Sequence, residues 1–393
     1  MVIKPMIRNN ICVNAHPEGS RLYVRKLAEY VRSRKGLRGP KNVLVIGSSA
    51  GYGLATRVVA ALGTGANTLG VAFEKPASKK RPATPGWYMT EELERLAWEE
   101  GLYAESLIGD AFSHGMKQDA AAKIRENMGT VDLVIYSLAS GVRNDPDTGE
   151  MVRSVLKPIG APYTSRSLDP FKEELKEVTI EPASEEDIEA TVKVMGGEDW
   201  TLWMEALREA GVLAEGVSTL AYSYIGSDFT RPIYREGTIG RAKEHLERTA
   251  GELTSALSSL GGSARISVNK AVVTRASAVI PVVPLYMTIL FRVMKKKSLH
   301  EGPIEQMYRL FAERLYGTED TPVGDVPVDS EDRVRLDDWE LQADVQREVQ
   351  AAWDTIDEAN LSELADLEEY RREFLHIHGF GFDEIDYEAD VEL

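Results

Sequence analysis

Tyr234 and Lys243 lie nine positions apart in the run Tyr-Arg-Glu-Gly-Thr-Ile-Gly-Arg-Ala-Lys. Lys243 opens a segment in which Ile239, Leu246, Ala250, Leu253, Leu257 and Leu260 recur at helical spacing, and the lysine falls on the same apolar stripe. An ammonium facing a core is costly unless something pairs it. The bland alternative is a snorkelling stem with its head in water. Against that stand a tyrosine just upstream, in a glycine-containing turn, and a nucleotide-binding signature nearer the N-terminus. A lysine beside a phenol lowers the pKa of the phenol and can also hold a sugar hydroxyl. These are the groups a nicotinamide-dependent reductase needs. Nine positions along an ideal helix put two side chains on opposite faces. Tyr234 must therefore precede the helix, on a turn loosened by Gly237 and Gly240 and approached through Pro232, and fold back toward Lys243.

The nucleotide signature is Gly47-Ser-Ser-Ala-Gly51-Tyr-Gly53, directly after the apolar run Asn42–Ile46 and opening a helix expected over 53–62. In that context the backbone of Gly47, Ser48, Ser49, Ala50, Gly51 and Tyr52 can approach a diphosphate, with the helix N-terminus adding positive potential. Phe73 and Glu74 end the second strand, expected over 68–73. Glu74 is placed to accept hydrogen bonds from the adenosine ribose hydroxyls, and its charge favours NADH over NADPH, although Lys75 tempers this. The alternative is an exposed strand-end residue. Asp110-Ala111 and Leu138-Ala139 end the third and fourth strands and would line the adenine and the nicotinamide ribose. Taken singly, each is as readily a plain strand terminus.

These residues need a scaffold, and the chain supplies an alternating one. Helices over 90–100 and 116–128 separate strands over 103–108 and 131–138, and further strands are expected over 218–223 and 265–269. Such alternation predicts an α/β fold with a doubly wound parallel sheet, Rossmann-like. Residues 1–40 read as a strand pair within 2–13 and a helix over 21–33. Residues 141–216, with helix starts at Ser184 and Asp199 and a stop at Gly211, read as a helical insertion over the active-site edge. Residues 299–393 read as an acidic helical extension with a packing helix over 339–356, so the whole of 1–393 forms one extended domain.

The net charge of −17 argues against nucleic acid or an anionic membrane as the main partner. A single cysteine, Cys12, excludes an intrachain disulfide framework and suits a reducing cytoplasm. The N-terminal residues lack the apolar core of a signal peptide. The apolar stretch 278–293 is too short for a membrane span and is interrupted by Pro281 and Pro284, so it is expected to be buried or to wall a ligand pocket. Lys295–Lys297 reads as a solvated helix end or a contact for coenzyme A phosphates or an acidic carrier protein. His376 and His378, two apart, would share one face of a strand, but no further ligand cluster accompanies them, so no metal is expected.

The chain resembles the monomeric bacterial trans-2-enoyl-thioester reductases, the enoyl-acyl-carrier-protein and trans-2-enoyl-CoA reductases with a Tyr-x8-Lys pair. The likeness spans Ile3-Lys4-Pro5, His16-Pro17, Gly47–Gly53, Ala221-Tyr-Ser-Tyr-Ile-Gly226, Tyr234–Lys243, Val268-Asn-Lys-Ala-Val-Val-Thr274, Pro284-Leu-Tyr286, and the C-terminal His378-Gly-Phe and Asp386-Tyr387. The resemblance implies a cytoplasmic monomer in fatty acid biosynthesis. It would reduce the carbon–carbon double bond of an enoyl-CoA or enoyl-carrier protein with NADH. Tyr234 would protonate the enolate oxygen, and Lys243 would hold the nicotinamide ribose and keep Tyr234 acidic. Tyr224 would contact the thioester carbonyl as a second donor. Val272, Val273 and Thr274 would touch the nicotinamide end, and Ile280, Val283, Leu285, Met287 and Phe291 are candidates for the acyl wall. Two other readings fit the same sheet: a 3-ketoacyl or carbonyl reductase, and a dinucleotide sensor in which Lys243 merely grips the ribose.

Overall fold

Short runs rich in valine, isoleucine and leucine, bounded by glycine, build a parallel sheet whose central strands are buried on both faces. In the computed structural model, which describes every residue except Asn9, Lys35 and Leu393, these are β1 (Asn42–Ile46), β2 (Asn67–Ala72), β3 (Ala104–Ile108) and β4 (Val131–Tyr136). Further along the chain come β5 (Leu213–Ser223), β6 (Ser263–Val268) and the short β7 (Arg333–Arg335). All neighbours pair in parallel, in the order β7-β6-β5-β4-β1-β2-β3. The order reverses between β1 and β4, which is where a doubly wound sheet opens a crevice beyond its strand ends.

Alternation along β1 sorts its side chains between two cores. Val43 and Val45 join a cluster with α1 (Pro17–Arg32), α2 (Gly51–Val58) and α3 (Pro85–Glu99). Leu44 and Ile46 join the opposite one, with α4 (His114–Asn127). The insertion contributes α5 (Glu185–Met195) and α6 (Glu198–Glu209); α6 and α7 (Thr238–Ala256) pack into the second cluster. The 278–293 stretch, expected to be buried or to wall a ligand pocket, forms most of a helix, α8 (Val283–Lys296), whose apolar residues are buried. It is followed by α9 (Pro303–Arg309) and the C-terminal α10 (Ala343–Thr355), α11 (Leu361–Leu364) and α12 (Leu367–His376). A third core forms where α8 meets α10 and α12.

Several expectations shift by a turn. Helix α3 begins at Pro85 rather than residue 90, because Thr84 extends and proline fits the first helical position. Strand β5 reaches back to Leu213, with a register shift before Ser218 at the left-handed Gly216. The N-terminal strand pair is confined to Ile7–Arg8 and Ile11–Cys12. Beside its helices the insertion carries two antiparallel hairpins, Val142–Asn144 with Met151–Arg153 and Tyr163–Asp169 with Glu174–Ile180. Ser184 caps α5 through a reciprocal capping box, as its position suggested. His376 ends a helix rather than lying on a strand, and the buried His378 follows it.

Asp199 does not cap its helix. Its carboxylate accepts from Lys117 Nζ at 2.8 Å and from the Tyr136 hydroxyl at 3.1 Å, and both ion-pair partners are about 1% exposed. Lys117 Nζ also donates to the carbonyls of Phe112 (2.8 Å) and Ala111 (3.3 Å), so the pair ties the insertion to the loop that follows β3. Removing one member strands a buried charge. Lys117→Met should lower unfolding stability by about 3–5 kcal/mol in urea titrations. Adding Asp199→Asn should restore part of it, and wild-type stability in the single variant would contradict this role.

Candidate active site

The strand ends converge on one edge. Gly47 leaves β1 at φ +86°, and a Cβ there would meet the Ser137 carbonyl at 2.4 Å, so only glycine lets the ends of β1 and β4 approach this closely. The loop then enters α2 at Gly51. A Cβ built on Gly51 would lie 3.5 Å from Thr274 Cγ2, which brings the segment after β6 against the same loop. This is the cradle a dinucleotide diphosphate requires: bare backbone at a helix N-terminus, closed over by a second strand end.

Side chains in the cradle behave differently from the expectation. The Ser48 hydroxyl donates to the Val71 carbonyl at 3.2 Å, and the Tyr52 hydroxyl donates to the Lys270 carbonyl. Both turn inward, leaving backbone as what the loop offers; Ala50 extends without a side-chain contact at the helix cap. Glu74 is not the exposed strand-end residue of the alternative reading: it is buried, its Oε1 taken by the Ser49 hydroxyl (2.6 Å) and the Arg275 guanidinium (2.9 Å). Its Oε2 has no hydrogen-bond partner among the described residues. Phe73, beside it, is 70% exposed, the most exposed large apolar side chain among those described. Asp110 accepts from the Phe112 N–H at 3.0 Å in a tight turn, and Ala111 is buried with its carbonyl held by Lys117 and the Trp203 indole. Leu138 is half-buried and Ala139 exposed, just past the end of β4.

Tyr234 precedes α7, as the spacing demanded. Its N–H donates to the Thr230 carbonyl at 2.9 Å, and its carbonyl accepts from Gly237. Gly240 makes the fold-back possible: a Cβ there would collide with the carbonyls of Arg235 (2.1 Å) and Tyr234 (2.5 Å). Tyr224, Tyr234, Ile239, Gly240 and Lys243 then line one narrow crevice. The rings of Tyr224 and Tyr234 meet edge to face, 5.1 Å between centroids.

Lys243 has no hydrogen-bond or ion-pair partner among the described residues. Glu247, one turn along, is taken by Arg235 (2.9 Å) and Arg333 (3.2 Å). Burial pushes the lysine down to about 8, opposed in part by the charge of Glu247. The phenol moves the other way: burial first, then the Glu340 carboxylate, raise Tyr234 above its ordinary value. The expected acidification of Tyr234 by Lys243 is therefore absent from the protein alone, and the phenol holds its proton. The Tyr224 hydroxyl, at the edge of the same crevice, donates to Glu340 Oε1 at 3.1 Å.

Residues missed in the sequence include Glu340, Arg275 and Lys270. Lys270 is buried with Nζ on the carbonyls of Ala271 (2.8 Å) and Glu301 (3.2 Å). Lys270, inside the Val268–Thr274 run, and Arg275, next to Thr274, carried a signal through their positions; Glu340 carried none. Of the acyl-wall candidates, Val283, Leu285, Met287 and Phe291 are core residues. Lys295 and Lys297 are held by Asp366, Glu369, Asp344 and Glu348, so they are not a free phosphate site.

The chain matches three family models: the trans-2-enoyl-CoA reductase catalytic region over residues 81–316, the NAD(P)H binding domain of trans-2-enoyl-CoA reductase over 2–79, and the enoyl reductase FAD binding domain over 328–391. The last segment does not fit a flavin. The apolar side chains of α10 and α12, among them Val345, Val349, Tyr370 and Phe374, are committed to the core against α8. It is 49% identical over 393 residues to an NADH trans-2-enoyl-CoA reductase of Ruminiclostridium cellulolyticum, covering 100% of this chain and 98% of that protein. It is 52% identical over 393 residues to an NADH enoyl-acyl-carrier-protein reductase of Serratia proteamaculans, covering 100% and 97%. A crystal structure of Treponema denticola trans-2-enoyl-CoA reductase in complex with NAD superposes with a TM-score of 0.95 at 52% identity, covering 100% of this chain and 98% of that one. With a catalytic-region model matched over residues 81–316 and relatives this close over their full length, the chain belongs to the trans-2-enoyl-CoA reductase family.

Proposed function

We propose that this protein reduces the carbon–carbon double bond of trans-2-enoyl thioesters with NADH, in fatty acid biosynthesis, as a cytoplasmic monomer whose segments 1–40, 141–216 and 299–393 extend one reductase domain. The observation that carries the reading is that Lys243, with no partner among the described residues, shares a crevice with Tyr234. Monomeric state and compartment rest on the family resemblance.

NADH, when bound, supplies a hydride to the β-carbon of the enoyl group. The double-bond electrons then move toward the thioester oxygen, which becomes an enolate and needs a donor. Tyr234 fits this role because its raised pKa keeps the proton in place until a stronger base, the enolate oxygen, is beside it. Lys243 donates to the nicotinamide ribose hydroxyls and adds positive charge near the phenol. Backbone of Gly47–Gly51 holds the diphosphate, and Val272–Thr274 meets the nicotinamide end. Phe73 offers a face for the adenine, with Asp110-Ala111 and Leu138-Ala139 along the remaining edge. The partly satisfied Glu74 presents negative charge near the ribose 2′ position, which supports NADH over NADPH.

Three outcomes are expected. Crotonyl-CoA should consume NADH and acetoacetyl-CoA should not; turnover of only the latter would favour the carbonyl reductase. Enoyl-carrier substrates run alongside would decide the preferred handle. Tyr234→Phe should lower kcat by about 10²–10⁴-fold with NADH affinity nearly unchanged, whereas Lys243→Met should damage both. Equal NADH affinity in wild type and Lys243→Met would contradict the ribose assignment. The free-enzyme profile of kcat/KM for NADH should be flat at lower pH and decline as pH rises through about 8, because the lysine loses its charge there. Lys243→Arg should move that decline upward; a decline that stays in place belongs to another group.

A further inference from the structure

Gln306 is fully buried on α9, and only half of its amide is used. Oε1 accepts from the Lys270 N–H at 2.9 Å and from the Tyr52 hydroxyl at 3.2 Å, whereas Nε2 has no hydrogen-bond partner among the described residues. A backbone N–H can only donate, so the atom facing Lys270 must be the amide oxygen. An idle buried donor costs free energy that an apolar side chain of the same length would not. What this position supplies is therefore the acceptor.

Its two donors come from opposite sides of the cofactor cradle. Tyr52 is the second residue of α2, directly after the Gly47–Gly51 loop. Lys270 lies just beyond β6 and leads into Val272–Thr274. The Tyr52 hydroxyl also donates to the Lys270 carbonyl, so both main-chain polar groups of Lys270 are held, the N–H by Gln306 and the carbonyl by Tyr52. The Lys270 ammonium is engaged elsewhere, on the carbonyls of Ala271 and Glu301. The Tyr52 ring is steadied in turn by Tyr222 of β5, edge to face with 6.0 Å between centroids. A dinucleotide has a fixed length between its diphosphate and its nicotinamide, so the two segments that meet it must keep a matching separation.

We propose that Gln306 and the Tyr52 hydroxyl are positioning residues for NADH: together they clamp the end of β6 to the glycine loop at the separation a bound dinucleotide spans. Both act through the main chain they hold. The inference rests on the cofactor placement proposed above.

Equilibrium binding of NADH and of ADP to wild type, Tyr52→Phe, Gln306→Met and the double variant tests it. ADP reaches the glycine loop but stops short of the nicotinamide segment, whereas NADH must meet both. Each single variant should weaken NADH by about tenfold and ADP by no more than about twofold. The double variant should be little worse than either single one, because the two side chains form one clamp. Equal weakening of both ligands would be the mark of general damage to the fold and overturns the proposal, as do unchanged NADH binding and fully additive losses. If Gln306→Met does not fold, Tyr52→Phe, which removes a single oxygen atom, decides on the split between NADH and ADP. Wild type that does not bind both ligands overturns the cofactor placement itself. Wild type that binds both and reduces no enoyl thioester overturns the function and leaves the clamp to be judged on the binding data.

Discussion

A positive charge with no partner among the described residues dominates this crevice. Desolvation works against the ammonium of Lys243, and the carboxylate that would ordinarily relieve it, Glu247, is drawn off by two arginines. The cost is met by the fold, through the core on one face of the sheet that holds α7 against β6. An ammonium kept in that condition gains most from a ligand able to accept hydrogen bonds, and sugar hydroxyls do so without neutralising it. Had Glu247 been free to reach Lys243, the lysine would be satisfied before any cofactor arrived.

Opposite electrostatic pressures act on the two members of the pair. Burial pushes the lysine toward neutrality and the phenol toward keeping its proton, and the Glu340 charge reinforces the second. The apo site is thus set as a cation near the point of giving up a proton beside an acid reluctant to do so. In the proposed reaction the gap narrows as negative charge develops at a substrate oxygen, which is the differential stabilisation catalysis requires.

The central sheet was legible because its strands are short, apolar on both faces and closed by glycines, as in Asn42–Ile46 before Gly47. The Tyr–Lys geometry followed from helical arithmetic alone. The hairpins of the insertion were not legible: in Glu174–Ile180 the half-buried Leu175, Val178 and Ile180 pack against a core, but the adjacent exposed Lys176 and Glu177 break the period of two. Three residues of β7, two of them arginines, are too few to show a period. Glu340 lay hidden among acidic neighbours, since nothing local says which of Asp337, Asp338 and Glu340 is turned inward beside Tyr224. The loop residues Ser48 and Tyr52 show a different limit. Sequence marks a phosphate loop by its glycines but does not say whether its side chains face the ligand or the interior, and here both face the interior.

Gly240 sets the reach of Tyr234 through main chain alone, hydrogen against carbonyl. The register of Tyr234 against Lys243 therefore does not depend on what the exposed side chains of Glu236 and Arg241 happen to be. Those positions can drift with surface charge over evolutionary time while the phenol stays where it is. A single-residue insertion or deletion between them would instead rotate one partner out of the crevice, so this stretch tolerates changes of letter but not of length.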